Sequence, residues 1–396
     1  MSMQTHRLAA SALGSLIFLS APAAAKDASS DYVPSATVLQ PAGPIGASPS
    51  PLEEASDPYA AFAPGKSPID HKIDYAIWTS ALSNFVISMG PPLRKMPGPT
   101  ASDRGQNLGT RRRMGHNSIY RLEGSMVAFS FMNKAVIDSF GEYRRDLESV
   151  ADTLDIQSLP RNEQLAYWLN LHNVALVEQI AKAWPVRQPR EIEIDGVPLD
   201  DAKFITVKGI ALSPKDIRTR IVFPNWKDPK VIYGFWRGEI GGPAMQREAF
   251  AAATVSNLLD RAGREFASSR RGVENRGKTL HVSRIYEEAA PFFFDDFGTD
   301  LRAHLLEFAN EDVQKKINKT REIKVSLREH DIADLAGGAR GNAFFANGRL
   351  GPGVADLLRQ RRQKFDYIER RGIRTGTVTF SNIRLPGDPP EKGEVE

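Results

Sequence analysis

Apolar residues recur at helical spacing along most of the chain, and shorter apolar stretches separate these segments. The helical spacing predicts helices over residues 74–89, 134–152, 162–184, 213–222, 247–268, 299–308 and 354–372. Alternating or continuous apolar runs predict strands over residues 191–194, 203–207, 230–236 and 375–380, and hairpins that turn at 123–125 and 277–278. Together these elements predict an α+β fold, a mostly helical main domain with a small antiparallel or mixed sheet, followed by a short C-terminal helix-strand extension.

Residues 162–184, NEQLAYWLNLHNVALVEQIAKAW, form the strongest predicted helix. Asn162 is a suitable N-cap, and Pro185 follows at the point where proline cannot continue a helix. Asn170 and Asn173 stand three residues apart inside this helix, although asparagine is uncommon there. Because buried amides need partners, we expect these two side chains to bind neighbouring loops. One apolar stripe of the helix contains Leu165, Trp168, Leu169, His172, Leu176 and Ile180.

The N-terminal region predicts export. Arg7 precedes an apolar stretch, LAASALGSLIFL, and the small residues of SAPAAA follow it directly, as in a signal-peptide cleavage site. The apolar stretch is shorter than the roughly 20 residues that cross a bilayer, so an uncleaved membrane anchor is the less favoured alternative. We therefore expect a cleaved signal peptide over residues 1–25 and a periplasmic or secreted protein.

Composition shifts predict the remaining domain boundaries. Residues 26–66 are rich in Pro, Ser and Ala and predict a disordered, flexible tether, with folding beginning near Pro68. We expect a main domain over residues 67–325, a C-terminal extension over 326–385 and a disordered acidic tail over 386–396.

The composition also excludes several kinds of site. The 396 residues include no cysteine, which excludes disulfides, thiolate metal sites and a cysteine nucleophile. The seven histidines show no His-x-His or His-x-x-x-His pairing, so no metal site is predicted. A net charge of +4 is small for this length and does not indicate a nucleic-acid-binding protein.

The stretch GVENRGKT, residues 272–279, matches the letter pattern of a phosphate-binding P-loop. That loop requires a buried strand before it and a helix that starts at its Lys-Thr end. Here a polar helix end precedes the stretch, and LHVSRIY follows it with the pattern of a strand. The sequence therefore predicts a hairpin turn at Gly277 and Lys278, with no nucleotide and no other cofactor.

The stretch YWLNLHNVALV, residues 167–177, resembles the signature helix of the domain of unknown function 547 family. Four further segments resemble that family in the same order: residues 140–164, 184–192, 228–236 and 280–298. The resemblance spans about residues 70–312. It implies little about activity, since the biochemical role of the family is mostly undefined.

The chain departs from the family pattern at positions that could carry chemistry. Many members have a Glu-His pair after an Asp-Ile, whereas this chain has Arg218 and Thr219. Many members also have two cysteines after the Asp-Pro segment, whereas this chain has Arg237 and Gly242. A cysteine and a histidine that could act as nucleophile and base are therefore both missing.

No residue can be given a catalytic role from spacing alone, but some are candidate binding residues. His172 is either a core histidine or a cleft residue next to the two asparagines. Arg237 either binds a carboxylate or phosphate of a ligand, or pairs with Glu239 or Asp216. The candidate binding residues are Asn170, His172, Asn173, Arg237, Glu239 and His116.

Two hypotheses of function follow. The first is a non-catalytic binding or scaffolding protein of the bacterial envelope, whose partner is an unknown ligand or envelope protein. Its basic faces, residues 111–113 and the C-terminal helix, would suit weak contact with anionic lipid or cell-wall polymer, unless they are simply solvated. The second is a hydrolase or transferase without cysteine, with Thr219, His172, His116 and Glu239 as participants.

Overall fold

The computed structural model describes residues 57–65, 69–94, 116–342 and 350–373, and these residues confirm an α+β fold that is mainly helical. The α-helices are α1 (Ala76–Phe85), α2 (Lys134–Thr153), α3 (Arg161–Ala183), α4 (Pro214–Asp216), α5 (Phe223–Asn225), α6 (Val255–Ser268), α7 (Ile285–Phe293), α8 (Phe297–Phe308), α9 (Glu311–Ile317) and α10 (Pro352–Arg370). The strands are β1 (Val86–Ser88), β2 (Ser125–Val127), β3 (Glu193–Ile194), β4 (Val197–Pro198), β5 (Ile205–Val207), β6 (Ile210–Leu212), β7 (Val273–Arg276), β8 (Thr279–Ser283) and β9 (Glu322–Leu327).

Helix α3 lies at the centre of the core, with α2 and α6 packed against it. Every residue from Glu163 to Glu178 is buried, so the predicted single apolar stripe is too narrow a description. The buried Glu178 carboxylate accepts hydrogen bonds from Arg144 and from Lys182, whose Nζ lies 2.6 Å away. The predicted N-cap is wrong, because Pro160 precedes the first turn and Asn162 lies inside the helix.

The described strands form small sheets. Strands β7 and β8 form the predicted hairpin, in which Gly277 has a φ of +63°, and β9 adds to β8 in parallel. The other sheets are antiparallel pairs of β1 with β2, β3 with β4, and β5 with β6. Among the described residues, none of the helices combines the length and apolarity that crossing a membrane requires.

The hairpin predicted around residues 123–125 is wrong. Strand β2 pairs with β1, with Val86 opposite Val127, and the residues before β2 form turns. Gly124 has a φ of +69°, and a Cβ there would lie 2.7 Å from the Arg271 guanidinium. The backbone therefore reverses direction against a buried arginine, a long-range contact that a local alternating pattern cannot show.

Two predictions around the centre of the chain also need correction. The strand predicted over residues 230–236 is a 3-10 helix, Pro229–Gly234, because Asp228 caps it and proline suits its first turn. The helix predicted from residue 247 begins only at Val255. The helix predicted over residues 213–222 is present as α4 followed by a π-helical turn, Ile217–Val222.

Both ends of the described chain contact the core. Tyr59 and Phe62, which fall inside the predicted tether, are buried in a 3-10 helix. On α10, Lys364 is 1% exposed and donates to the carbonyls of Met89 and Leu122 at 3.0 and 2.7 Å, which fixes α10 beside β1 and β2. Four predicted features lie outside the described residues: the signal peptide, the basic run 111–113, the strand 375–380 and the start of folding at residue 68.

Candidate functional site

Arg218 is the centre of a buried charged cluster. It lies on the π-helical turn and its side chain is 0% exposed. Its Nε and Nη2 donate to Glu288 at 2.8 and 3.4 Å, and Nη1 and Nη2 donate to Asp200 at 2.8 and 2.6 Å. Nη1 also donates to Nε2 of His172 at 3.1 Å. All five N–H groups of the guanidinium therefore have partners.

Arg237 binds the same cluster through Glu288. It follows the 3-10 helix, is 7% exposed, and donates two parallel hydrogen bonds to Glu288 at 2.8 and 2.9 Å. Its Nε is buried and has no partner among the described residues. Glu288, from α7, is thus bound between two guanidinium groups, the paired geometry that arginine and carboxylate favour.

The charges in this cluster control the ionisation of its carboxylates. Burial alone would raise the pKa of Glu288, but Arg237 and Arg218 outweigh it and hold that pKa well below its usual range. At Asp200, burial alone would also raise the pKa of the carboxyl group. The charge of Arg218 outweighs burial there and lowers that pKa to about 2. Two guanidinium cations and two carboxylate anions therefore balance one another.

His172 is neutral in this environment. Burial, followed by the charge of Arg218, lowers its pKa to about 3. Because Arg218 donates to Nε2, the proton of the neutral ring lies on Nδ1, which donates to Oδ1 of Asn173 at 3.0 Å. Both ring nitrogens are thus occupied, and His172 has no lone pair free to accept a substrate proton.

The two asparagines of α3 bind loop backbone. Asn170 donates to the carbonyl of Phe250 at 2.7 Å and accepts from its N–H at 3.1 Å. Asn173 donates to the carbonyl of Gly234 at 2.9 Å and accepts from the N–H of Trp236 at 3.1 Å. One helix face therefore positions the segment that carries Arg237.

The structure brings His172, Asn173 and Arg237 together and places Glu239 elsewhere. Glu239 accepts hydrogen bonds from Arg284 at 2.5 Å and binds His330 at 3.2 Å. The expected pairing of Arg237 with Glu239 or Asp216 is therefore wrong, since its partner is Glu288.

The remaining candidates have structural contacts. His116 is buried, and its Nε2 makes a short hydrogen bond to the backbone carbonyl of Asp334. The Thr219 hydroxyl donates to the carbonyl of Lys215 at 2.9 Å, as threonine does within a helix. Among the described residues, neither side chain makes a hydrogen bond or ion pair to the Arg218 cluster.

Asp200 and Glu288 are site residues that the sequence alone did not identify. The one signal available was that two family positions, 218 and 237, both hold arginine here. Two buried cations require anions nearby, but spacing cannot select them among the 48 acidic residues. The partners come from a loop 18 residues before Arg218 and a helix 70 residues after it.

Residues 156–267 match the sequence model of "Protein of unknown function, DUF547". The chain is a DUF547 family member. The matched region includes α3, Arg218 and Arg237, but it ends before Glu288. No curated protein and no solved structure matches the chain.

Among the described residues of this DUF547 protein, histidine–hydroxyl pairs occur at two places, and neither includes His172. Tyr233 Oη and His304 Nε2 lie 2.8 Å apart in the core, and His281 Nδ1 and Ser326 Oγ lie 2.5 Å apart on the exposed face of the β7–β8–β9 sheet. Within the described ranges, no group of three or more His, Asp or Glu side chains is placed to hold a metal ion.

Proposed function

We propose that this DUF547 member is an exported envelope protein with a non-catalytic binding or scaffolding role. One observation carries the proposal: Arg218 and Arg237, which stand where the resemblance places the family's Glu-His pair and first cysteine, are both paired with Glu288. Each charge there is paired within the protein. The cluster thus behaves as a structural core element whose removal would leave buried charges uncompensated.

The state of His172 supports the same role. A general base works best when its pKa lies near the working pH and when it can reach the proton that it removes. The pKa of His172 is about 3, and its Nε2 accepts from Arg218. Thr219 bonds its own helix, and no hydroxyl of the described residues is hydrogen-bonded to this histidine, whose ring nitrogens bind Asn173 and Arg218.

The non-catalytic role can be tested with the full chain and four chromogenic substrate classes: an ester, an anilide, a phosphate ester and a glycoside. We expect the same background rate for the wild type and for His172→Gln. Turnover that His172→Gln abolishes, while His281→Gln keeps it, would overturn the proposal and favour a hydrolase without cysteine. Urea unfolding of both variants would show that the loss is not caused by unfolding.

Export can be tested separately, by expressing the chain with a C-terminal tag in a Gram-negative host. We expect a periplasmic or secreted product whose N-terminal residue, measured by mass spectrometry, is Lys26. A tagged chain that keeps Met1 and stays in the cytoplasmic or membrane fraction would contradict the proposed location.

A further inference from the structure

Strand β9 lies at the edge of the β7–β8–β9 sheet, and β8 is its only partner among the described strands. The N–H groups of Arg321, just before β9, and of Glu322, its first residue, both donate to the carbonyl of Lys278, at 2.8 and 3.4 Å. Within the strand, Glu322 faces β8, because it pairs with Thr279 in the parallel register. Because neighbouring residues of a strand point their backbone groups to opposite sides, Ile323 and Val325 direct theirs to the open edge. Such an edge is a template for a further strand.

A cavity of about 420 Å³, open to solvent, lies beside this edge. One wall comes from Arg321, just before β9, and from Ile323 of β9. The other wall comes from α8, with Arg302, Ala303 and Leu306. The volume falls within the range of ligand-binding pockets. An open strand edge and an apolar cavity thus meet along one groove between β9 and α8, hereafter the β9–α8 groove.

The two charged residues that line the cavity in this groove are arginines, Arg302 and Arg321. Nη1 of Arg302 donates to the carbonyl of Ile317 at 2.7 Å and to the hydroxyl of Thr320 at 3.0 Å, which fixes the guanidinium in place. Its Nε and Nη2, and the whole guanidinium of Arg321, make no hydrogen bond or ion pair with other described residues. The groove is therefore complementary to an anion.

The N-terminus of α8 does not supply the groove's complementarity to an anion. Asp296 caps the helix and accepts hydrogen bonds from the N–H groups of Gly298 and Thr299 at 3.0 and 3.1 Å. The first turn is thereby satisfied within the chain. Recognition of an anion in the groove would depend on the arginine side chains.

We propose that the β9–α8 groove binds an extended peptide that carries a carboxylate. The peptide backbone pairs with Ile323 and Val325, an apolar side chain enters the cavity beside Leu306, and the carboxylate meets Arg302 and Arg321. Glu322 and Lys324 are exposed, as expected for an edge strand that must avoid indiscriminate pairing. This site is separate from the Arg218 cluster, so either proposal can fail while the other stands.

The test uses random octapeptides displayed by their N-termini, with free C-termini, and selected on the full chain. Enriched peptides are then synthesised with a C-terminal carboxylate or amide, and with Asp and Glu replaced by Asn and Gln. We expect apolar, β-prone peptides whose affinity falls about tenfold when the carboxylate is removed, the effect of losing a charge-assisted contact. The amide arm identifies a terminal carboxylate, and the Asn/Gln arm identifies a side-chain carboxylate.

Variants of the protein locate the binding site. Ala303 is exposed on α8, so Ala303→Trp fills the cavity without disturbing the core. We expect Ala303→Trp and Arg321→Gln each to weaken peptide binding about tenfold or more. Arg328→Gln is the matched control, because Arg328 is 59% exposed just after β9 and does not line the cavity.

Hydrogen exchange gives a second readout that does not depend on any substitution. Bound peptide should slow exchange of the Ile323 and Val325 amides. The proposal is overturned if no peptide is enriched, or if the enriched peptides bind Ala303→Trp and Arg321→Gln as tightly as the wild type.

Discussion

Two buried histidines, His172 and His304, are neutral for different physical reasons. The pKa of His172 is lowered to about 3 by burial and by Arg218, which also donates to its ring. The pKa of His304 is lowered to about 4 by burial alone. His304 stacks on Tyr233, with ring centroids 5.6 Å apart and planes 10° from parallel, and it binds the Tyr233 hydroxyl.

The two histidines belong to different groups: a charged centre, which is the Arg218 cluster, and an aromatic centre formed by Tyr233, Tyr286 and His304. The difference shows how strongly each centre depends on its members. In the charged centre, Glu288 is shared by two arginines, and Arg218 is shared by two carboxylates and His172. Loss of one member would leave several partners uncompensated. In the aromatic centre, loss of one hydroxyl removes a hydrogen bond but exposes no buried charge.

The largest effect should come from Arg218→Met. This change leaves Glu288 with one arginine, leaves Asp200 without its buried partner, and removes the hydrogen bond to His172. Since Asp200 is 43% exposed and can be partly hydrated, we expect a loss of about 3 kcal/mol in the free energy of unfolding, the low end for a broken buried pair. Urea unfolding at pH 7 measures it.

Arg328→Met is the matched control for that experiment. Its side chain is 59% exposed and lies 3.9 Å from Glu287, so the change should alter stability by less than about 0.5 kcal/mol. Equal losses in the two variants would mean that the buried cluster contributes no more to stability than a surface ion pair.

Counted per pH unit, an intermediate effect is expected from acid. An unfolded histidine binds a proton below about pH 6.5, whereas folded His172 and His304 stay neutral down to about pH 3 and 4. The unfolded chain therefore binds more protons in this window, so the stability that each histidine contributes is complete above pH 6.5 and declines as the pH falls. Each of the two histidines should lower the free energy of unfolding by about 1.4 kcal/mol for each pH unit of acidification in this window.

The corresponding measurement is the urea midpoint between pH 7 and pH 3. His172→Gln and His304→Gln should each reduce the pH dependence by about one proton. Below pH 4 the two should differ, because folded His304 then takes up a proton and its contribution stops growing. A wild-type slope in His172→Gln would show that His172 is charged or exposed in the folded protein.

Much of the fold can be predicted from the sequence wherever local pattern and packing agree. Helices α2, α3 and α10 follow apolar periodicity, and the β7–β8 hairpin follows from Gly277. The failures occur where a distant partner decides the structure. Strand β2 pairs with the distant β1 and not with the residues directly before it in the chain. Asp228 and Pro229 start a 3-10 helix where the apolar run predicted a strand.

The candidate site can be predicted only in part, for a related reason. His172 and Arg237 stand out by residue type, since a histidine in an apolar stripe and an arginine after an apolar run both require compensation. Their compensating partners, Asp200 and Glu288, are ordinary acidic residues in the sequence. Only the folded chain shows that α7 brings Glu288 between the two arginines.

The smallest effects should come from removing a hydroxyl in the aromatic centre, and Tyr233→Phe is the larger of the two. The change removes the hydroxyl that lies 2.8 Å from His304 Nε2 and 3.2 Å from Tyr286 Oη, while the ring contacts remain. We expect a loss of about 1–2 kcal/mol in the free energy of unfolding, measured by urea unfolding at pH 7. Tyr286→Phe should cost less, because Tyr233 keeps its hydrogen bond to His304. If Tyr286→Phe costs as much as Tyr233→Phe, the hydrogen bond to His304 contributes nothing, and burial and stacking alone position this histidine.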